Sequence, residues 1–367
     1  MGSQLSTKSA FSLDEDLVGL VSAENAVEIL DPTETGRWDD MAQAHPAFTP
    51  FHSAGWARVL KKTYGHIPLF LRFHRQQKTV ALLPLMEVSS RFTGRRGVSL
   101  PFSDFCDPLL WDDCNLNQIF PVLTTLSQSR RWKHCEIRLT ASEGSGKSGR
   151  SFFHHTLALT PGLSAIWDQF GSANQRAIRK GAKLGLRIDV TKSVNALHEF
   201  FELHTCTRSR LGYPPQPLAF FINLHREMIA TDQGAIVIAR IGTRAIAGAV
   251  LLMGGKSAVY KFAASNHKFQ SFRGNNLVLW EAIKFLHERD CSTLDLGRTD
   301  LADSGLRRFK LSWGTEEKVV SYVRIGGTKA PQPVAARPRS SWSRRIFARL
   351  PLAVNRLAGS AIYPHLD

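Results

Sequence analysis

The chain has 367 residues and a formal net charge of +16, with 43% hydrophobic and 10% aromatic residues. That length points to two domains and a remainder, and the apolar share suffices for packed cores, which excludes a disordered or fibrous chain. No run of about 18 apolar residues occurs and Met1 to Ala10 lacks the apolar core of an export signal, so a cytoplasmic location is expected.

Residues 1–40 carry a local balance of −7 and read as an acidic leader that ends in a first strand at Ala26 to Leu30. A first half, residues 41–170, follows. Phe51 to Tyr64 has helical spacing after a Pro-containing entry, and Leu69 to Phe73 and Val80 to Val88 alternate as strands around the polar turn Arg75 to Lys78. The loop Leu100-Pro101-Phe102-Ser103-Asp104-Phe105 runs on to Asp107-Pro108-Leu109, then come a helix at Leu116 to Arg131 and a strand at Cys135 to Thr140. Ala141 to Ser148 has the Gly, Ser and Lys of a loose phosphate-binding loop. Such a loop needs a helix directly after its Lys-Ser pair, whereas the residues up to Leu159 read as a strand, so a hairpin tip is expected and an NTPase is excluded.

The second half, residues 171–326, opens with Asn174 to Leu184, whose Arg176, Arg179, Lys180 and Lys183 fall on one helical face. That face is either a solvated link or a surface that steers a phosphate-bearing substrate. His204 and Arg208 lie one helical turn apart, just before the turn Leu211-Gly212-Tyr213-Pro214-Pro215. Ile236 to Ala239 and Ala245 to Met253 form a hairpin, and Ala258 to Ala264 adds a strand whose alternation sets Tyr260 and Phe262 opposite Lys261. From Asn276 the pattern becomes helical, with Glu281, Lys284 and Glu288 in one charged stripe, and Thr293 to Arg298 is a strand that turns polar at its end. A strand pair, a helix and another strand thus occur in both halves, which points to a duplicated α+β unit.

Residues 327–367 carry +6 and mix cations with apolar residues after the Pro-rich stretch Pro331 to Pro338, and the body between leader and tail carries +17. The tail is expected either to lie on an anionic membrane or to pack back as a helix. Cys106, Cys114, Cys135, Cys206 and Cys291 lack the paired spacing of a metal knuckle or disulfide framework, so no metal is expected. Basic excess suits phosphates, but no zinc-finger or RNA-binding strand motif suggests sequence-specific nucleic-acid reading.

Phe272-Arg273-Gly274-Asn275-Asn276-Leu277-Val278-Leu279-Trp280, Leu294-Asp295-Leu296-Gly297-Arg298, and Gly305-Leu306-Arg307-Arg308-Phe309-Lys310 with Trp313-Gly314 resemble the C-terminal half of the FemAB-like, BioF2-like branch of the GNAT acyltransferases. The Leu100 to Phe105 loop and Asn174-Gln175-Arg176 resemble the same group, so the likeness spans roughly residues 45 to 325. It implies two tandem GNAT-like halves, each a mixed sheet flanked by helices, and transfer of an acyl or aminoacyl group to an amine or hydroxyl. One departure stands out: Gln270 to Asn275 misses the spacing of the usual GNAT pyrophosphate loop.

On this reading Asp104 or Asp107 is base or acceptor orienter, Tyr260 and Lys261 flank the donor carbonyl, and Arg298 with Lys310 meets an anionic group. The helix start at Arg273, Gly274, Asn275 and Asn276 offers free N–H groups, the positive end of the helix dipole and a full charge to a donor phosphate. Arg176, His204 and Arg208 are expected near the substrate. The leading expectation is acyl-CoA (acetyl-CoA) as donor and a small or lipid-linked saccharide precursor of the envelope or an exopolysaccharide as acceptor. An aminoacyl-tRNA-dependent cross-bridge ligase comes second, since the long coiled-coil arm of such enzymes is missing, and a non-catalytic GNAT-like binding module third.

Overall fold

The computed structural model describes residues 26–34, 36–111, 114–140, 149–326 and 341–367. The first half holds β1 (Ala26–Leu30), α1 (Arg37–Gln43), α2 (Ala54–Tyr64), β2 (Ile67–Pro68), β3 (Phe70–Arg75), β4 (Lys78–Leu83), β5 (Met86–Ser90), β6 (Gly94–Ser99), β7 (Leu109–Leu110), α3 (Leu116–Ser129), β8 (Cys135–Leu139) and β9 (Gly149–Ala158). After α4 (Leu163–Asp168) and α5 (Ser172–Lys183), the second half holds β10 (Arg187–Thr191), α6 (Val194–Arg210), α7 (Leu218–Leu224), β11 (Gly234–Ile241), β12 (Arg244–Gly254), β13 (Ser257–Ser265), α8 (Gly274–Glu288), β14 (Thr293–Asp300), α9 (Ser304–Leu311) and β15 (Glu316–Ile325). The tail adds α10 (Ser341–Arg349) and α11 (Leu352–Ile362).

Each half contains a hairpin, a helix and a parallel return strand. In the first, β5 and β6 pair antiparallel and β6 pairs parallel with β8 across α3; in the second, β12, β13, α8 and β14 repeat that order. The halves then exchange their last strands. β9 of the first half lies against β14 of the second, β15 of the second lies against β8 of the first, and β9 and β15 pair with each other. The result is one sheet of order β10-β11-β12-β13-β14-β9-β15-β8-β6-β5-β2 beside a smaller sheet β1-β3-β4-β7. Neither half completes its sheet alone, so the seam between them is built from backbone hydrogen bonds.

The expected strand Val80 to Val88 is divided between the two sheets. Pro84 cannot donate to a ladder, and the chain leaves the small sheet at Leu83 and joins the large one at Met86. The interior is shared as well: Trp38, Phe51 and Trp56 of the first half sit in one cluster with Phe200, Phe220 and Phe221 of the second, and burial of each such ring contributes roughly 3 kcal/mol. The helix α8 follows its apolar pattern, with Leu277, Val278, Leu279, Ala282, Ile283 and Leu286 buried and a Glu281–Lys284 ion pair of 2.7 Å outside.

The tail packs back on the body, with α10 and α11 against α6. Tyr363 is buried and its hydroxyl accepts from Arg208 at 3.0 Å, while Asp367 pairs with Arg96 at 2.9 Å. No helix among the described residues is long and apolar enough to cross a membrane. The phosphate-loop-like stretch 141–148, the leader before Ala26 and the Pro-rich stretch of the tail lie outside the described residues.

Candidate active site

β13 and β14 pair in parallel over three residues only, Ser257 to Val259 with Thr293 to Asp295, and beyond this both strands change register with their other neighbours. Opposite β12, Val250 faces Phe262 and Leu251 faces Tyr260, so Lys261 is the extra residue of a bulge. The bulge overturns the simple alternation read from the sequence. Tyr260 packs with the core on one side of the sheet and Phe262 with the core on the other, and the Lys261 ammonium lies 5.1 Å from the centre of the Phe51 ring, on the Phe262 side. In β14 a second irregularity falls between Asp295 and Arg298, centred on Gly297 at φ +75°. That φ favours glycine, and a Cβ there would stand 3.2 Å from an Asp104 oxygen.

These two bulges bring together a charged cluster at the seam of the halves. Lys261 donates to the Phe102 carbonyl at 2.6 Å and to Asp104 Oδ2 at 3.3 Å, and Arg298 Nε stands 3.7 Å from Asp104 Oδ1. Arg298 also donates to the Tyr322 hydroxyl, which in turn donates to the Asp104 carbonyl at 2.9 Å. Burial alone would raise the Asp104 carboxyl, but Lys261, Arg298 and Lys310 outweigh it and hold it down to about 2. Burial lowers the Lys261 amine against the pull of Asp104. The mouth of the cluster keeps a cationic excess, with the Arg298 side chain 36% exposed and Lys261 only 7%.

Asp104 is accordingly a poor general base. Moving a proton from an acceptor of pKa near 7 to a carboxylate held at about 2 costs roughly 7 kcal/mol. Its chemistry is that of an anionic acceptor of hydrogen bonds, able to receive one from an N–H or O–H donor. Arg298 and Lys261 suit the negative charge that develops on a carbonyl oxygen under attack.

The start of α8 lies at a cavity of about 590 Å³ lined by Arg273, Gly274, Asn275 and Asn276, with Arg176 and Lys180 of α5 and Phe309 of α9 also on its walls. Arg273 adopts the left-handed conformation and offers the helix no side-chain cap. Asn275 donates to the Ser265 hydroxyl at 3.1 Å, and Asn276 donates to Asn174 at 3.1 Å, which in turn donates to the Ser312 carbonyl at 2.9 Å and so ties α5 to the end of α9. Ser265, Asn266 and Phe269 also line an adjoining cavity of about 1000 Å³, where Arg210, Arg244 and Lys268 lie. The two acids of that second cavity are engaged, Glu199 by Arg240 and Glu202 by Arg356. Together the cavities form one basic groove.

Several expected site residues fall elsewhere. Asp107 accepts from the Thr140 amide and hydroxyl, both at 2.8 Å, so its carboxylate fastens the loop to the end of β8. Tyr260 stands on the far face in the core. His204 is buried among Phe200, Phe221 and Phe262 and bonds Gln216 at 2.9 Å. Arg208 donates to the Pro214 carbonyl and to Tyr363, which makes it an anchor for the tail. Lys310 is buried beneath the cluster, not open to a donor: it donates to the Gly297 carbonyl at 2.6 Å and the Arg298 carbonyl at 3.1 Å, and burial pulls its amine down to about 8. Arg179 lies over Trp167, away from the cavity walls named above.

Two contributors escaped the sequence reading. Tyr322 reaches the cluster only because β15 crosses to the other half. Asp295, buried between Leu294 and Leu296, accepts from the Gly297 amide and pairs with His154 at 2.5 Å. A carboxylate inside an apolar strand needs a buried partner, and that was the available signal.

Residues 173–311 match the family model of the acetyltransferase (GNAT) domain. A stretch of 76 residues is 34% identical to the lipid II:glycine glycyltransferase of Staphylococcus epidermidis, over 19% of this chain and 18% of that protein. The chain therefore spans under a fifth of the curated relative it matches. Among solved structures, FemX superposes with a TM-score of 0.63 at 14% identity over 82% of this chain and 97% of its own. A tandem GNAT protein from the clavulanic acid biosynthesis pathway gives 0.51 at 12% identity, over 83% and 100%. The fold is a tandem GNAT fold, and residues 173–311 are similar to the GNAT acetyltransferase domain, with likeness to FemX and to the lipid II:glycine glycyltransferase.

Proposed function

We propose that this chain transfers an aminoacyl group from a charged tRNA to an amine or hydroxyl of a lipid-linked cell-envelope precursor. The observation that carries the reading is the reach of the basic groove. A compact donor fills the cavity at the α8 tip, whereas Arg210, Arg244 and Lys268 extend the cationic lining well beyond it, as a polynucleotide backbone requires. The short stretch of identity with a lipid II:glycine glycyltransferase supports an aminoacyl group as cargo and a lipid-linked acceptor.

In this scheme the α8 tip and Arg273 hold a donor phosphate while the ester carbonyl reaches Lys261 and Arg298, roughly 13 Å along β13 from Ser265. Asp104 accepts a hydrogen bond from the acceptor amine. Nitrogen attacks the carbonyl carbon, negative charge gathers on oxygen beside Arg298, and the intermediate collapses as the carbon–oxygen bond to the ribose breaks, the departing ribose oxygen taking up the proton that the attacking nitrogen sheds. Holding the two reactants in register supplies most of the acceleration, worth roughly 7 to 11 kcal/mol.

Acyl-CoA is the second reading, favoured by the fit of a compact phosphorylated donor to the tip cavity alone. The two part at the second cavity. With charged tRNA as donor, Arg244→Ala combined with Lys268→Ala weakens binding at least tenfold and flattens its dependence on salt by about one unit of log-log slope per lost phosphate contact. Acyl-CoA binding is untouched by the pair. Transfer from acyl-CoA with none from charged tRNA contradicts the tRNA reading.

A further inference from the structure

The β5–β6 hairpin ends in Arg91-Phe92-Thr93, and Phe92 is 81% exposed, the most exposed large apolar side chain among the described residues. Its position is held from below: the buried Ser90 hydroxyl accepts from the amides of Phe92 at 3.1 Å and Thr93 at 3.0 Å, which fixes the turn with the ring outward. Arg91 and Arg95 flank it, both exposed. The ring meets His365 edge-on at 4.8 Å, which joins the hairpin to the end of the tail, where Leu366 is again exposed.

The tail carries the same chemistry further. Val354 and Leu357 lie three residues apart on α11 and face outward, Leu357 at 71% exposure, while Arg356 of the same helix turns away to Glu202. On α10, Arg345, Ile346 and Arg349 are exposed together. None of Arg91, Arg95, Arg345 and Arg349 has an ion pair among the described residues, and Asp367, the carboxylate at the hairpin end, is taken up by Arg96. An aromatic tip and outward aliphatic residues set among unpaired arginines match one partner: a surface with an apolar interior and anionic headgroups.

We propose that the β5–β6 tip and the two tail helices form a docking surface for an anionic lipid bilayer. Phe92 and Leu357 enter the headgroup boundary, and the arginines meet the lipid charge. The surface stands on its own residues, apart from the groove, so it holds whichever donor the groove takes.

Sedimentation of the purified full chain with phosphatidylcholine vesicles, with and without phosphatidylglycerol, tests this. The chain co-sediments with the anionic vesicles and much less with the neutral ones. Phe92→Ser, Arg91→Gln with Arg95→Gln, and Val354→Ser with Leu357→Ser each lower vesicle partitioning about tenfold or more, with an unchanged thermal midpoint, since every altered side chain is exposed. Wild-type chain left in the supernatant with anionic vesicles overturns the proposal. So does a Phe92→Ser chain that partitions like wild type, or one in which sedimentation velocity shows a dimer lost while vesicle binding persists, because the face then meets a second copy of the chain.

Discussion

Replacing Arg298 by alanine lowers transfer by about 10²- to 10³-fold while leaving donor affinity and thermal midpoint close to wild type, the loss typical of removing one preorganised donor to a developing oxyanion. The guanidinium is positioned against two core rings that keep their own packing without it. Its centre lies 4.6 Å from the Phe152 ring centre and 5.1 Å from that of Tyr322, it donates to the Tyr322 hydroxyl, and a third of the side chain still faces solvent. The fold survives its removal because Lys261 still compensates Asp104 and the β14 bulge is held by Lys310, Gly297 and Asp295. Lysine restores only part of the rate, since an ammonium does not stack between two rings as a planar guanidinium does. The check is kcat/KM and donor affinity side by side. Unchanged kcat removes Arg298 from the reacting centre, and a loss confined to donor affinity moves it to the groove.

The protein is expected to lose much of its stability between pH 6.5 and about 4. Burial lowers His52 and His66 from 6.5 to about 4 and His204 to about 3, and each stays neutral in the fold. Above pH 6.5 both folded and unfolded states hold these rings neutral and there is no penalty. As pH falls below 6.5 the unfolded chain takes up protons that the folded one refuses, until the folded pKa values are reached. Each buried ring then costs about 3 kcal/mol, so the three together approach the roughly 5 to 15 kcal/mol stability of an ordinary domain. The Asp104 carboxyl, held at about 2, loses its contribution only below this window. Urea midpoints at a series of pH values read the effect, and a flat profile from pH 6.5 to 4 contradicts it.

Much of the second half was legible because its signals are local. Gly242 and Gly254-Gly255 mark turns, the spacing of Leu277 to Leu286 marks a helix, and the change to polar residues at Gly297-Arg298 marks where a strand opens its site. The structure starts α8 at Gly274, two residues before the reading from Asn276, because Arg273 supplies the left-handed residue in place of an Asn cap. Asp104 or Asp107, Lys261 with Tyr260, and Arg298 with Lys310 were expected around one site, and the structure joins Asp104, Lys261 and Arg298 within hydrogen-bond or ion-pair distance.

What stayed hidden was long-range. The bulge at Lys261 inverts the facing of Tyr260, and nothing in a strictly alternating strand announces an extra residue. The exchange of β9 and β15 sets Tyr322 and His154 at the cluster from the opposite halves of the chain. His204 and Arg208 share a helix face as spacing predicted, but that face turns inward, His204 to the aromatic core and Arg208 to Tyr363 of the tail. Periodicity fixes which residues share a face, and only packing decides what the face meets.

In the proposed scheme the α8 tip grips the donor's phosphates, and a single titration measures that grip. Purified wild type, Arg176→Ala with Arg273→Ala, and Arg298→Ala are each titrated with charged tRNA at two salt concentrations, with thermal midpoints as a control for folding. The double variant is predicted to bind at least tenfold more weakly, with a shallower salt dependence, while Arg298→Ala binds like wild type. A folded double variant that binds as tightly as wild type, with the same salt slope, rules out the α8 tip as the phosphate grip.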